Sequence, residues 1–471
     1  MGSAERIQEA ARLTIAQLKN AQHKRRPVAI VVSAMSKVTD LLIDTMAKAE
    51  KGDGAGVEAN LATLRDRHDA CCAELLPEKA RAKAMASVHL ILDEFSKIAR
   101  GMLMLGERPP QTSDRALAMG ERLSAVLITA CLQTQKIPAR FVNGERVIAT
   151  DDVFGNASPL MEETRLRAEK VVRPLLKKNE IVVMTGFNGS TLDERPTTLG
   201  RGGSDFSASI LAAALDAEEL WIWTDVDGIM TGDPRLVPEA RVMEAITYAE
   251  AAELAYAGAK VLHPRTMAPL VERKIPVWSK NSFAPEKPGT RIVPELKRAE
   301  GAHAVTSMTG VALISIEPTP KAASGTKLMA EAIDALAAAE VEVLAFTSSS
   351  SRQSFCFLLR QSELKDALDH LEETFHLELE HGHVNPIQVD KEVGLIAVVG
   401  AGMRGQHGLA GQIFTAISKE KINIIAIAQG SSELTIAIVV RREGLERAVC
   451  AVHQACIASS AVTPPKRKRY N

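Results

Sequence analysis

The chain has 471 residues, 46% of them apolar and 24% charged, with a formal net charge of -1. That length and apolar content allow two or three domain cores and argue against disorder, while near-neutral charge gives nucleic acid or an anionic membrane no electrostatic hold. With no long uninterrupted apolar run, no basic-then-apolar leader, and six cysteines at 71, 72, 131, 356, 450 and 456 without a CxxC pair or zinc spacing, a reduced, cytoplasmic protein is expected.

The opening "MGSAERIQEAARL" predicts a helix, with Ser3 as N-cap and Ile7, Ala10, Ala11, Thr14, Ile15 and Leu18 at helical spacing. "PVAIVVSAM" follows as a buried strand. Helix before strand inverts the usual order of a parallel α/β unit. Up to about residue 293, the runs "IPARFVNG", "EIVVMTGF", "ELWIWTDV" and "IPVWSKN" alternate with helical patterns such as "DRALAMGERLSAVLITACLQ" and "SDFSASILAAALDA". This predicts a mostly parallel sheet with helices on both faces. The stretch 56–106 is a helical excursion without a strand, split near Pro77.

A Pro-, Gly- and charge-rich segment predicts a linker at 294–307. Beyond it a weak repeat appears. "GVALISIE", "TKLMAEAIDALAAAE" and "VEVLAFTSSSSRQSFCFLL" are echoed by "VGLIAVVG", "GLAGQIFTAISKEK" and "INIIAIAQGSSELTIAIVV". Two small α+β modules are expected, at 308–384 (completed by about 450–462) and 390–449, each needing a partner to bury its sheet. "PPKRKRYN" at the end is expected to be a solvated tail.

Chemistry gathers in a few stretches. In "TTLGRGGSDFSASILAAAL", Gly200, Gly202 and Gly203 precede a helix holding Ser204 and Asp205 in its first turn, with Arg201 among the glycines. Glycines let backbone amides approach a ligand, a helix N-terminus favours an anion, and a guanidinium forks onto carboxylate or phosphate. Ordinary capping would explain Ser204 and Asp205, but not three glycines around an arginine. "WIWTDVDGIMTGDPR" runs from a strand into a loop with Thr224, Asp225, Asp227, Asp233 and Arg235, at the carboxyl end where open parallel sheets collect ligands. Asp227-Gly228 is taken as a turn, and the spacing does not continue into a calcium loop.

Glu121 falls on the inward stripe of Leu117, Ser124 and Ile128, so it either meets a cationic partner or leans from the stripe edge into water. Lys260, His263 and Arg265 in "GAKVLHPRT" suit a helix C-terminus or, for Lys260, a phosphate. Thr39 is either an N-cap or a ligand hydroxyl. No GxxxxGK[ST], HRD, DFG, HExxH or GxSxG motif occurs.

Together "VVSAMSKVTDLL", "GERLSA", "TLGRGGSDFSA", "TDVDGIMTGDPR", "EAAELAYAGAKVLHPRT" and "KPGTRI" resemble aspartate kinases of the amino acid kinase superfamily, in order and over nearly the whole chain. The resemblance implies a three-layer α/β/α catalytic domain at 1–293 with a mostly parallel sheet, followed by paired ACT modules. It implies phosphoryl transfer from ATP, with Mg2+, to the β-carboxylate of L-aspartate, opening lysine, threonine and methionine biosynthesis. Arg201, Gly202, Gly203 and Ser204 would hold aspartate, Glu121 its ammonium and Thr39 a carboxylate. Ser33, Thr224, Asp225, Met230, Arg235 and Lys260 would face ATP, and Asp205 would organise the transfer. No protein metal ligand set is implied.

A homodimer or higher homo-oligomer is expected, with an amino-acid effector, lysine or threonine, at the ACT modules. Two departures stand out: Met230 replaces a frequent aromatic residue, and "VEVLAFTSSSS" lacks the acidic residue and Ser-Glu of lysine-sensitive members. With no Gly-rich dinucleotide-binding unit in the sequence, a form other than the one fused to homoserine dehydrogenase is expected. Family members begin with a strand and K-F-G-G-T-S-V-G-S, so a misassigned start at a GTG valine codon is expected before Gly2. The alternatives are a truncated effector-binding subunit without turnover, or another small-molecule kinase of the superfamily.

Overall fold

The structure, a computed structural model, describes residues 2–18, 26–259, 261–296, 301–322, 324–349 and 354–458. The chain forms two units. One is Met1–Asp225 with Arg265–Trp278 and Ser282–Glu286; the other is Val226–Pro264 with Ser279–Asn281 and Lys287–Asn471.

The first unit runs α1 (Ala4–Ala16), β1 (Ala29–Val32), α2 (Val38–Glu50), α3 (Gly54–Leu75), α4 (Glu78–Leu105), α5 (Pro110–Leu117), α6 (Met119–Thr134), β2 (Ala139–Val142), α7 (Met161–Val171), α8 (Arg173–Lys177), β3 (Ile181–Thr185), β4 (Asn188–Ser190), β5 (Pro196–Thr198), α9 (Gly203–Ala214) and β6 (Leu220–Thr224). Ser3 caps α1 as expected, accepting from Arg6 N at 3.3 Å. The order β1-β3-β2 is parallel throughout.

Successive residues of a strand point to opposite faces, and β3 shows what that builds. Ile181 and Val183 join Ile7, Leu42, Phe95 and Leu123 in one core, while Val182 and Met184 join Phe206 and Ile210 in another. Helices therefore cover both faces of the sheet, which is the three-layer arrangement. The excursion is α3 and α4, broken at Leu76 because Pro77 has no N–H to continue the helix.

Two elements differ from expectation. "DRALAMGERLSAVLITACLQ" forms two helices, not one. The Ala118 carbonyl between them takes the Asn188 amide at 3.1 Å and receives only a 3.5 Å bond from Arg122 N. The hairpin β4–β5, with Asn188 opposite Thr198, was hidden in a turn-rich stretch. Among the described residues one helical stretch, Pro110–Thr134, is long and apolar enough to cross a membrane by length and composition, and most of it lies buried in the core.

The second unit begins with β7 (Ala245–Thr247) and α10 (Tyr248–Tyr256); α11 (Pro264–Arg273) and β8 (Val277–Asn281) span the division between the units. After β9 (Thr290–Val293), parallel to β7, come β10 (Ala304–Ile316), α12 (Gly325–Ala338), β11 (Ala345–Ser348), β12 (Phe355–Arg360), α13 (Leu364–Thr374), α14 (His376–Glu380), β13 (Gln388–Val399), α15 (Leu409–Lys419), β14 (Ile424–Gln429), β15 (Thr435–Arg441) and α16 (Leu445–His453).

The two sequence repeats share one sheet, ordered β11-β12-β10-β13-β15-β14 with the antiparallel pair β10–β13 at its centre. That pairing inside the chain supplies the partner each repeat lacked. Ile314 and Ile316 pack on Leu328 of α12 and Leu371 of α13, and Ile396 and Val398 on Ile413 of α15 and Val449 of α16. β10 begins at Ala304, inside the stretch expected as a linker, because Ala304–Met308 pairs with Leu395–Val399. Residues 350–353 of the Ser-rich turn and the basic tail lie outside the described residues. All six cysteines are free.

Candidate functional site

Val32 and Thr185, where β1 and β3 end, lie in register, so the chains leaving these strands emerge side by side. One passes Ser33 and Ala34, the other Gly186, Phe187 and Asn188. The N-terminus of α6 is tied to both: Ala34 N donates to Glu121 Oε1 at 3.1 Å, and Asn188 Nδ2 to the Ala118 carbonyl at 3.1 Å. The N-terminus of α9 closes the corner. Gly186 packs so tightly there that a Cβ would lie 2.9 Å from Ser204 Cα.

Glu121 is 4% exposed, and its Oε2 has no partner. Burial pushes its carboxyl up to about 8, against the pull of the Ala34 amide. Asn188 Oδ1 and Ser124 Oγ are also buried without partners. Because Asn188 Nδ2 is committed to a carbonyl, its oxygen is the atom left over. Unfilled acceptors beside a buried carboxyl suit a ligand rich in N–H donors, above all an ammonium. The inward stripe marked Glu121 in the sequence; nothing there marked Asn188.

Gly202, with φ 71°, caps α9, so Ser204 and Asp205 are not its caps. Arg201 is exposed and has no partner among the described residues, leaving its fork free beside the helix N-terminus. Phe187 N donates to Ser207 Oγ at 2.8 Å, which fastens the chain after β3 to the same helix. Asp205 opens to solvent, yet surrounding protein desolvates its carboxyl enough to raise its pKa.

Thr39 is half-buried at the second position of α2, where Lys37, with φ 63°, is the cap; the N-cap alternative is therefore corrected. Ser33 is exposed at the end of β1. At the end of β6, Thr224 Oγ1 donates to Asp225 Oδ1 at 3.3 Å. Arg265 lies in the first turn of α11 rather than at a helix C-terminus.

Met230 and Arg235 belong to the second unit. Met230 is half-buried and bridges to Val242, and Arg235 is exposed and paired with Asp233 at 2.6 Å. Lys260 lies outside the described residues. Asp227 does more than turn the chain: it pairs with Lys287 at 2.6 Å and accepts from Asn281 Nδ2 at 2.6 Å, and both hold its carboxyl below the usual range.

Among the described residues, the buried carboxylate of this unit is Glu250, in the capping box of α10. It accepts from Thr247 N and Oγ1, both at 2.8 Å, and from Ala401 N at 2.7 Å, and it meets His303 Nδ1 at 2.6 Å. Ala401 opens the loop that runs to a concavity of about 300 Å3 lined by Met403, Gln406, His407, Gln429 and Glu433.

The model of the amino acid kinase family matches residues 1–281, and an ACT domain model matches 396–456. The chain belongs to the amino acid kinase family. It is 32% identical over 462 residues to bifunctional aspartokinase/homoserine dehydrogenase 1, chloroplastic, of Arabidopsis thaliana, covering 96% of this chain and 49% of that protein. The chain thus spans about half the length of the curated relatives it matches.

E. coli aspartokinase III in complex with aspartate and ADP (R-state) is similar with a TM-score of 0.78 at 27% identity, over 96% of this chain and 97% of that one. The same enzyme in complex with lysine and aspartate (T-state) gives 0.77 at 27% identity, over 96% of each chain. The amino acid kinase fold and the C-terminal ACT region expected from the motifs are both present.

Proposed function

We propose that the chain is an aspartate kinase, transferring the γ-phosphoryl group of ATP to the β-carboxylate of L-aspartate and giving 4-phospho-L-aspartate for lysine, threonine and methionine biosynthesis. The observation that carries this reading is the bare Glu121 Oε2 in a corner shared with the N-terminus of α9. An amino acid with a second carboxylate meets both demands: its ammonium takes the buried acceptors, and its carboxylates take Arg201 and the α9 amides. The aspartate and ADP bound by the E. coli relative and the aspartokinase half of the Arabidopsis relative support it.

The acceptor β-carboxylate is already anionic at neutral pH, so no base is needed to generate the nucleophile. Its oxygen bonds to the γ-phosphorus as the bond to the ADP oxygen breaks, and ADP leaves with the electron pair. The protein's work is to place the two anions together and offset their charge. Arg201 and the helix N-terminus serve the acceptor, while Ser33, Thr224 and Asp225 serve the nucleotide. Asp205 helps orient the transfer site. Mg2+ would arrive on the triphosphate and neutralise phosphate charge.

The concavity beside Glu433 is proposed to take an amino-acid effector, lysine or threonine, and the protein to act as a homo-oligomer in a reducing, cytoplasmic setting. The test is ADP release with L-aspartate, L-glutamate and carbamate as acceptors, with hydroxylamine trapping any acyl phosphate. Release and trapping specific to L-aspartate are expected. Turnover of another acceptor, or amino-acid binding without turnover, would overturn the reading.

A further inference from the structure

The Gly-rich loop between β5 and α9 carries the free fork of Arg201, and beyond Leu199, which is buried in the core at the loop's start, no side chain of that loop anchors it among the described residues. Its position is inherited from its flanks. Thr198, the last residue of β5, sits immediately before Leu199 and Gly200, and the loop 155–158 runs against them. Ala157 N donates to Thr198 O at 2.9 Å, and a Cβ on Gly200 would lie 2.6 Å from Asn156 Oδ1.

One carboxylate gathers both flanks. Asp114, in α5, is 1% exposed and meets no cation among the described residues. Its Oδ2 accepts from Gly155 N and from Thr198 N, each at 2.8 Å, and its Oδ1 accepts from Thr198 Oγ1 at 2.8 Å. Burial still outweighs these three bonds and raises its pKa, so the group is held there at a cost to stability. Arg265 grips the same two segments from outside. It donates to Ala157 O at 2.6 Å and Leu199 O at 3.3 Å, bonds to Asn156 Oδ1, and lies 4.9 Å over the Phe206 ring of α9.

A buried carboxylate whose partners among the described residues are three donors on the two flanks of one loop, and no cation, is not a general stabiliser of the fold. We propose that Asp114 is the positioning residue for the acceptor side of the site: through Thr198 and Gly155 it sets where Arg201 and the N-terminus of α9 stand. The proposal rests on the aspartate kinase reading only for the identity of the acceptor. Asp114 touches no substrate in this scheme; it acts through the loop.

The test uses the full chain with D114A, D114N and T198V. A carboxamide at 114 can still accept the two amides with its oxygen and donate to Thr198 Oγ1, whereas alanine leaves two buried N–H groups unpaired. D114A is expected to raise KM for L-aspartate about tenfold or more while KM for ATP moves by less than about twofold. Amide exchange in the segment 199–206 should accelerate in parallel.

D114N should restore most of both readouts. T198V, which loses one hydroxyl bond and keeps the backbone bonds, should raise KM for aspartate by roughly threefold; it carries the test if D114A does not fold. Unchanged exchange and unchanged aspartate KM in D114A, or equal rises in both KM values that D114N fails to rescue, would overturn the proposal. If the wild-type chain does not act on aspartate, the function reading falls and exchange in 199–206 decides this inference alone.

Discussion

Two buried glutamates, one in each unit, occupy the first turn of a helix and carry opposite charge preferences. Glu121 of α6 receives the Ala34 amide yet keeps a bare oxygen, and burial lifts its carboxyl to about 8. Glu250 of α10 is as deeply buried, and burial works against its charge too. There the His303 bond and the amides of Ala401 and Thr247 more than reverse the effect and hold it at about 2. The difference lies in who supplies the donors. A carboxylate completed by its own chain is a structural element, whereas one left with an open lone pair away from water is set up for a donor from outside.

The contrast can be broken at several points. Glu250→Ala strips a buried cluster of its acceptor and should cost about 3–5 kcal/mol in denaturant unfolding; a loss below about 1 kcal/mol would contradict its structural role. Its folded pKa of about 2 lies below the ordinary 4.5, so its contribution is present above about pH 4.5 and disappears as pH falls through 2. Acid unfolding of Glu250→Gln should show that slope flattened.

Glu121→Gln should lower kcat/KM for aspartate roughly 100-fold, since a charged acceptor is lost in a desolvated place. Its effect on the free protein has the other sign. A folded pKa near 8, above 4.5, means the group's contribution is whole below about pH 4.5 and is lost as pH rises through 8. Urea unfolding should therefore find Glu121→Gln more stable than the unliganded wild type at pH 8 and nearly equal to it at pH 4.5. Arg201→Lys replaces a fork by a point charge and should raise KM for aspartate about tenfold, read in steady-state kinetics. Asp227→Asn, at the solvent-screened pair with Lys287, should leave the urea unfolding midpoint nearly unchanged, which separates solvated from buried charge in the second unit.

Much of this was legible in the sequence where periodicity or backbone chemistry leaves a mark. The stripe through Leu117, Glu121, Ser124 and Ile128 put a carboxylate on an inward face, and three glycines around Arg201 marked a loop that a backbone must approach closely. What stayed hidden depends on partners far along the chain. Asp114 sits in a short helix between Ser113 and Arg115 like any surface acid, and its donors lie 41 and 84 residues away. Thr247 and Glu250 spell a capping box in "TYAE", but nothing local says that Ala401 and His303 will complete it. The strands of β4 and β5 have three residues each, too short to show alternation among turn formers. Arg265 in "GAKVLHPRT" suits a helix end by its charge alone; its clamp on loop 155–158 exists only in three dimensions.

The most direct measurement is KM for L-aspartate between pH 6 and 8, in wild type and Glu121→Gln, from ADP release with ATP and Mg2+. An ammonium that selects the ionised carboxylate requires wild-type KM to fall about tenfold per unit as pH rises toward 8, with the variant flat. Parallel pH profiles in the two proteins would contradict the claim that the open oxygen of Glu121 receives the acceptor's ammonium.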